Sequence, residues 1–283
     1  MIVVGELRAW KDLQQRCGHP EPIVCSEETA YLQLWIQQVS QQQDPALMAV
    51  HGGMLADRMA WVFVAGYQAA LRRTFPDQAL PRWAALAVSE DRRNDPPLPG
   101  VDYQLNDGEF VISGHKTWVA AVNSVEHLVI KAGIGARALY FNLPRTTEGL
   151  EFSSRAASFL GEMSQGSAHL SAVRLPADAA LDASEIPHFG VREALYIYLA
   201  FLGYAGQRWS NAVSSEDCLA LILRLSRALA ETVLPVAELK AIDTDVQKIL
   251  LDISPAVGAD NERWEKDQRL ISMYSPGIQQ RSS

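Results

Sequence analysis

The spacing of apolar residues changes twice along this 283-residue chain, and that change limits the fold more than any other feature. Residues 1 to about 83 carry helical spacing. Between Glu27 and Val39 it places Leu32, Trp35, Ile36 and Val39 on one face. Asp44-Pro45 reads as a helix start, because the aspartate can cap and the proline's missing N–H would be unpaired there anyway. The helix that follows is expected to run to Arg73, with a break at Gly52-Gly53. Pro76 and Pro81 close the segment.

Residues 84 to about 185 show short runs rich in Val, Ile, Leu and aromatics. They cover 84–89, 101–105, 109–113, 116–120, 127–132, 138–143 and 168–175. Asn106-Asp107-Gly108 suits a hairpin, because Asp and Gly tolerate the positive φ of its turn. Few helix-length segments intervene, so the strands are expected to pair antiparallel. Helical spacing returns from 186, with candidate helices at 191–209, 215–234, 236–253 and 261–273 and a cap at Ser214 or Ser215. The expected architecture is α+β. It comprises a helical N-terminal domain (1–83), a central antiparallel β-barrel (84–185) and a C-terminal up-down four-helix bundle (186–283).

Composition narrows the function. A net charge of −8 argues against a general nucleic-acid binder, whose footprint is a basic face, though a local arginine cluster could still hold a small polyanion. The longest apolar runs, 59–71 and 194–206, fall short of the roughly 20 residues of a membrane span. They read as helices buried on nearly all sides. They are also more apolar than a small monomer easily covers, so self-association is expected. The opening MIVVGELRAW is too short for a signal peptide. Cys17, Cys25 and Cys218 form no CxxC. Two readings stand: a Cys17–Cys25 bridge, or reduced thiols in a cytoplasmic compartment, which the spacing favours. The six histidines lie in no ligand pattern, so no metal site is expected.

Three stretches carry a resemblance. The first is Leu86-Ala87-Val88-Ser89-Glu90. The second runs from Glu109 through Gly114-His115-Lys116-Thr117-Trp118-Val119-Ala120-Ala121. The third is Leu170-Ser171-Ala172-Val173-Arg174-Leu175-Pro176. In order and spacing they resemble the middle domain of the acyl-CoA dehydrogenase family, and the helix–strand–helix layout is similar to that family's. The chain looks like a shortened, divergent member. The resemblance implies FAD as cofactor, with Leu86, Val88, Ser89, Asn94, Trp118 and Ala120 at cofactor-binding positions and the tryptophan packed on the flavin ring. It implies an acyl-CoA or acyl-carrier thioester as substrate and an electron-transfer flavoprotein or oxygen as acceptor. The residues alone leave a second reading of Trp118, as ordinary core. The family's Ala-Gly-Ser-Asp element is missing, with Arg92-Arg93-Asn94-Asp95 in its place. Glycine permits close backbone approach to a cofactor, which arginine does not. A threonine hydroxyl is also replaced, by Ala120.

The family reaction needs a carboxylate to accept an α-proton, with its pKa raised by a dry pocket. No Tyr-Glu-Gly occurs in the tail, which reads Leu270-Ile271-Ser272-Met273-Tyr274-Ser275-Pro276-Gly277. Some members carry the base on the first bundle helix, ten residues before a glycine. Glu193 precedes Gly203 by ten, with an apolar run between. The resemblance therefore points to Glu193 as base. The alternative is a solvated first-turn glutamate favoured by the helix dipole. Arg92 and Arg93 could face a phosphate or simply be solvated; Arg72, Arg73 and Arg82 share the ambiguity. Two functions remain: α,β-dehydrogenation of an acyl thioester, or a non-catalytic relative that has lost FAD and acts as a partner subunit or acyl-CoA-binding protein.

Overall fold

The computed structural model describes residues 23–231, 233–256 and 261–281. In chain order the first helices are α1 (Glu28–Gln38), α2 (Pro45–Leu55) and α3 (Met59–Thr74). Seven strands follow: β1 (Ala84–Ala87), β2 (Asp102–Asn106), β3 (Glu109–Ala120), β4 (His127–Ala132), β5 (Leu139–Pro144), β6 (Leu150–Arg155) and β7 (Gln165–Pro176). The later helices are α4 (Phe189–Arg208), α5 (Ser215–Ala230), α6 (Val236–Ile253), α7 (Asn261–Asp267), α8 (Arg269–Ser272) and α9 (Ser275–Gln279). The chain forms two compact units. The described residues up to 73 and from 188 onward make a helical unit, and Thr74–Pro187 makes a strand unit.

In the helical unit, Asp44 caps α2 by accepting from the Ala46 N–H at 2.7 Å, and Ser214 caps α5 by accepting from the N–H groups of Glu216 and Asp217. The break comes at Ala56–Arg58, not at Gly52-Gly53. Those glycines stay helical because their lack of side chains is used in packing. A Cβ on Gly53 would stand 1.9 Å from the carbonyl oxygen of Ala200, and one on Gly203 2.5 Å from that of Val50. Helices α2 and α4 therefore touch backbone to backbone. Tyr31 stacks on Trp61 with ring centres 5.1 Å apart, and the Trp61 indole donates to the Cys25 carbonyl.

The runs 59–71 and 194–205 are buried throughout. Their apolar surface lies inside the chain, so the exposed surplus from which self-association was argued is absent. The fourth predicted bundle helix is divided into α7 and α8 by a turn at Gln268, and α9 follows where no helix was expected. Among the described residues, no helix is long and apolar enough to cross a membrane.

The strand unit holds two sheets, ordered β1-β4-β5 and β2-β3-β7-β6, and the recorded ladders do not join them into a closed barrel. One pairing corrects the antiparallel expectation: β1 runs parallel to β4, Ala84 opposite His127 and Ala87 opposite Ile130. A parallel pair needs a connection of a dozen residues or more, and the β2–β3 hairpin in the other sheet supplies it. That hairpin turns at Asp107 (φ 49°) and Gly108 (φ 83°), as the sequence suggested. The runs 109–113 and 116–120 form one strand, β3. Its register shifts beside Gly114, whose φ of 132° and 2.3 Å clearance from the Gly100 carbonyl exclude a side chain. Strand β6 was not foreseen, because most of its side chains are polar and exposed and its apolar alternation is weak.

Candidate functional site

The strand unit presents the end of β1 beside β3. Leu86 is buried in β1, whereas Val88 is 41 % exposed and Ser89 lies on the surface. The Thr117 N–H donates to the Ser89 carbonyl at 3.0 Å, tying the strand end to β3. Below this tie, Lys116 is fully buried and its Nζ donates to Glu90 Oε1 at 2.7 Å. Desolvation lowers the Lys116 pKa, and the Glu90 carboxylate opposes that shift. Glu90 thus supports the loop from beneath.

Trp118 is half-buried, not core. Its indole N–H donates to Gln165 Oε1 at 3.2 Å, and the Gln165 amide donates to the Phe159 carbonyl at 2.8 Å. The ring is thus held at its polar edge and remains partly exposed. Ala120 is buried. Asn94 lies in the exposed loop after Glu90, where the Asp91 carboxylate accepts from the N–H groups of Arg93, Asn94 and Leu98 and from the Asn94 amide. Those bonds hold Asp91 well below the usual carboxylate range. The structure therefore brings Val88, Ser89 and Trp118 to neighbouring strands, places Leu86 and Ala120 inside, and engages Asn94 in a loop closed on Asp91. Arg92 and Arg93 are exposed in that loop. Arg82 pairs with Glu126 at 2.6 Å, and Arg72 lies over the Trp35 ring.

In the helical unit, α4 begins at Phe189, two residues before the predicted start. Glu193 consequently sits past the first turn, and the solvated first-turn reading does not hold. The residue is half-buried, and desolvation pushes its pKa up to about 7. Tyr274, between α8 and α9, is its neighbour: burial raises the phenol first, then the charges of Glu193 and Tyr67. Tyr67 in turn meets Phe189 edge to face, ring centres 6.1 Å apart. Tyr274 of the C-terminal tail thus senses both the Glu193 carboxyl and Tyr67 of α3. A separate apolar cavity of about 40 Å³, lined by Val50, Leu202, Gly203, Cys218 and Ile222, lies some ~15 Å further along α4 at 1.5 Å per residue. It is not the surroundings of Glu193. Cys25 and Cys218 are free and buried, and burial pushes Cys218 up to about 12; Cys17 lies outside the described residues.

A buried carboxylate went unrecognised in the sequence. Asp243 of α6 is 1 % exposed. Its Oδ1 accepts from the Tyr198 hydroxyl at 2.7 Å, and its Oδ2 from the Ser275 hydroxyl at 2.7 Å and the Gln279 amide at 2.6 Å. The signal was available, since Asp243 stands on the apolar stripe of α6 with Leu239, Ile242, Val246 and Leu250.

Several solved structures share this architecture over nearly its whole length. PigA with FAD and proline superposes with a TM-score of 0.69 at 11% identity, covering 99% of this chain and 96% of that one. Butyryl-CoA dehydrogenase from Megasphaera elsdenii gives 0.68 at 9% identity, over 99% and 94%. The fold is that of the acyl-CoA dehydrogenases. The prolyl acyl carrier protein oxidase AnaB shows the same acyl-CoA dehydrogenase fold, with a TM-score of 0.66 at 14% identity over 99% and 97%. No family model matches the chain, and no curated protein matches it in sequence.

Proposed function

We propose that this protein is an FAD-dependent oxidoreductase that removes hydrogen across the α,β bond of an acyl thioester carried on CoA or an acyl carrier protein. The observation that carries the reading is Glu193. A carboxyl raised to about 7 by desolvation is the base this chemistry requires, because both protonation states are populated near neutral pH. The fold supports it, as do the substrates for which butyryl-CoA dehydrogenase and the prolyl acyl carrier protein oxidase are named.

The residues of the strand unit fit a flavin. Trp118 offers a half-buried ring held by Gln165, and the exposed strand end at Val88 and Ser89 offers an edge beside it. Bound there, FAD would supply acceptance of the β-hydride. The chain's own part is to hold the thioester and to take its α-proton on Glu193 in surroundings from which water is largely excluded. Electrons would leave to an electron-transfer flavoprotein or to oxygen.

Protein incubated with FAD should turn yellow. Glu193→Gln should keep FAD and thioester binding, because the amide preserves shape. It should slow the loss of flavin absorbance in anaerobic stopped-flow by about 10²–10⁴, the usual contribution of a general base. Equal rates in the two proteins would remove Glu193 from the reaction. The second reading, a relative without FAD acting as a partner subunit or acyl-CoA-binding protein, is favoured by the exposed loop that Asp91 closes where the family has glycine. A colourless protein with no calorimetric heat on FAD addition would select it.

A further inference from the structure

We propose that Gln165 is a positioning residue for Trp118: held by the turn 159–164 and by both neighbouring strands, it fixes which way the indole faces before any flavin binds. The inference rests on the reading of Trp118 as the flavin's ring partner and adds to it the residues that aim the ring.

An indole turns about two side-chain bonds, and the outer one has two broad wells related by a ring flip. Apolar contacts distinguish the two flips poorly, whereas a hydrogen bond at one edge selects between them. Trp118 falls inside the register shift between Lys116 and Val119 of β3, an irregularity of the kind that re-aims a side chain. Its N–H reaches Gln165 Oε1 at 3.2 Å, which admits one flip and not the other. The acceptor is itself immobilised. Gln165 opens β7, a strand paired on both sides, and stands opposite Ala120 of β3 and Arg155 of β6. Gly166 lets the β6 backbone come close, since a Cβ there would lie 2.1 Å from the Ser153 carbonyl oxygen. The Gln165 amide nitrogen donates to the Phe159 carbonyl at 2.8 Å, so the oxygen is the end that faces the indole.

The turn that carries Phe159 is built against conformational preference. Leu160 is buried and adopts φ 51°, in the left-handed region that favours glycine. The Met163 N–H closes the turn on the Leu160 carbonyl at 3.0 Å. Ala121, three residues after Trp118, has φ 50°, and the chain there bonds to the same turn. The Val122 N–H donates to the Ser164 carbonyl at 3.2 Å, and the Asn123 N–H to the Ser164 hydroxyl at 2.9 Å. Among the described residues, two of the four non-glycine residues with positive φ thus lie in the two turns that flank the Trp118–Gln165 bond. Such strain persists only where surrounding bonds over-determine it, and it concentrates at ligand clamps. A ring aimed in advance meets a flat partner without the loss of affinity that follows when some molecules point it elsewhere.

The test separates aiming from contact. In Gln165→Leu the indole loses its acceptor; the length-preserving Gln165→Met does the same should leucine disturb the strand. The NMR signal of the Trp118 indole N–H, recorded without cofactor and assigned by its absence from Trp118→Phe, should move and broaden. FAD affinity from calorimetry should fall by about two- to tenfold, which is what one neutral hydrogen bond contributes. In a Trp118→Phe background, which keeps a flat ring but has no N–H, the same Gln165 substitution should leave FAD affinity unchanged. An unmoved signal, or an unchanged affinity when Gln165 alone is replaced, would overturn the proposal. So would a loss of affinity that persists in the Trp118→Phe background, because Gln165 would then touch the cofactor itself. If the wild type takes up no FAD while the signal still moves, the bond stands but the flavin reading fails, and the role assigned to Gln165 fails with it.

Discussion

Replacing Glu193 by glutamine should stabilise this protein by an amount that grows as pH rises from about 4.5 to about 7 and is constant above. Burial lifts the carboxyl from its ordinary 4.5 to about 7 in the folded chain. Between those two values the folded state holds a proton that the unfolded state has released. Stability therefore falls as pH rises through that window, and the full penalty is present above about 7. At 1.36 kcal/mol per pKa unit the penalty is at most about 3 kcal/mol. Glutamine cannot ionise and escapes it. Urea unfolding of wild type and Glu193→Gln, followed by circular dichroism, measures the gap. With an m-value of about 3 kcal/mol/M, the midpoint of the variant should lie up to about 1 M higher near pH 8. At about pH 3 the two curves should coincide, because the carboxyl is then protonated in both the folded and the unfolded chain. An offset of the same size at both pH values would show that the effect is packing and not ionisation. A variant less stable than wild type near pH 8 would show that the Glu193 carboxylate is solvated, and would remove the physical basis for its role as base.

Other substitutions test other parts of the account. Glu90→Gln leaves the fully buried Lys116 without its carboxylate and should cost about 3 kcal/mol, the low end for a broken buried pair because Glu90 keeps 29 % exposure. Lys116→Met removes the buried charge itself and should cost less, so chemical denaturation that ranks the two in the opposite order would refute the assignment. Gly53→Ala pushes a methyl into the Ala200 carbonyl and should destabilise by at least about 1–3 kcal/mol, read as a lowered melting temperature. Trp118→Leu should weaken FAD binding in calorimetry while changing the melting temperature little, because the ring is half-buried; loss of fold with unchanged FAD affinity would return Trp118 to the core.

Local chemistry was legible in the sequence wherever it acts within a few residues. Asp44, Ser214 and Asp107-Gly108 each do what their neighbours require, and the two changes of apolar period mark where helices give way to strands and return. Longer-range features were not. The direction of β4 depends on a pairing more than 40 residues away, which no run of Val and Ile records. Gly52 and Gly53 look like a break until the partner helix is known. Glu193 could be singled out by its apolar sequence neighbours, but its phenolic neighbour Tyr274 lies 81 residues on, in a tail whose only visible oddity was a missing motif. Asp243 was the exception that could have been read, as a charge on an apolar stripe.

The helical unit is assembled from two stretches of chain with residues 74–187 between them, and this sets an order of events during synthesis. The strand unit is continuous and can collapse as soon as it leaves the ribosome. Helices α2 and α3 cannot, because the backbone on which Gly53 rests belongs to α4. At about 5–20 residues per second, the intervening stretch of on the order of 100 residues delays their partner by roughly 5–20 s. For that time the apolar run 59–71 can meet the earlier helices, as Trp61 meets Tyr31, but not α4. The nascent chain is then a client for chaperones, and truncation immediately after the strand unit should leave that unit folded but attached to an aggregation-prone helical stub.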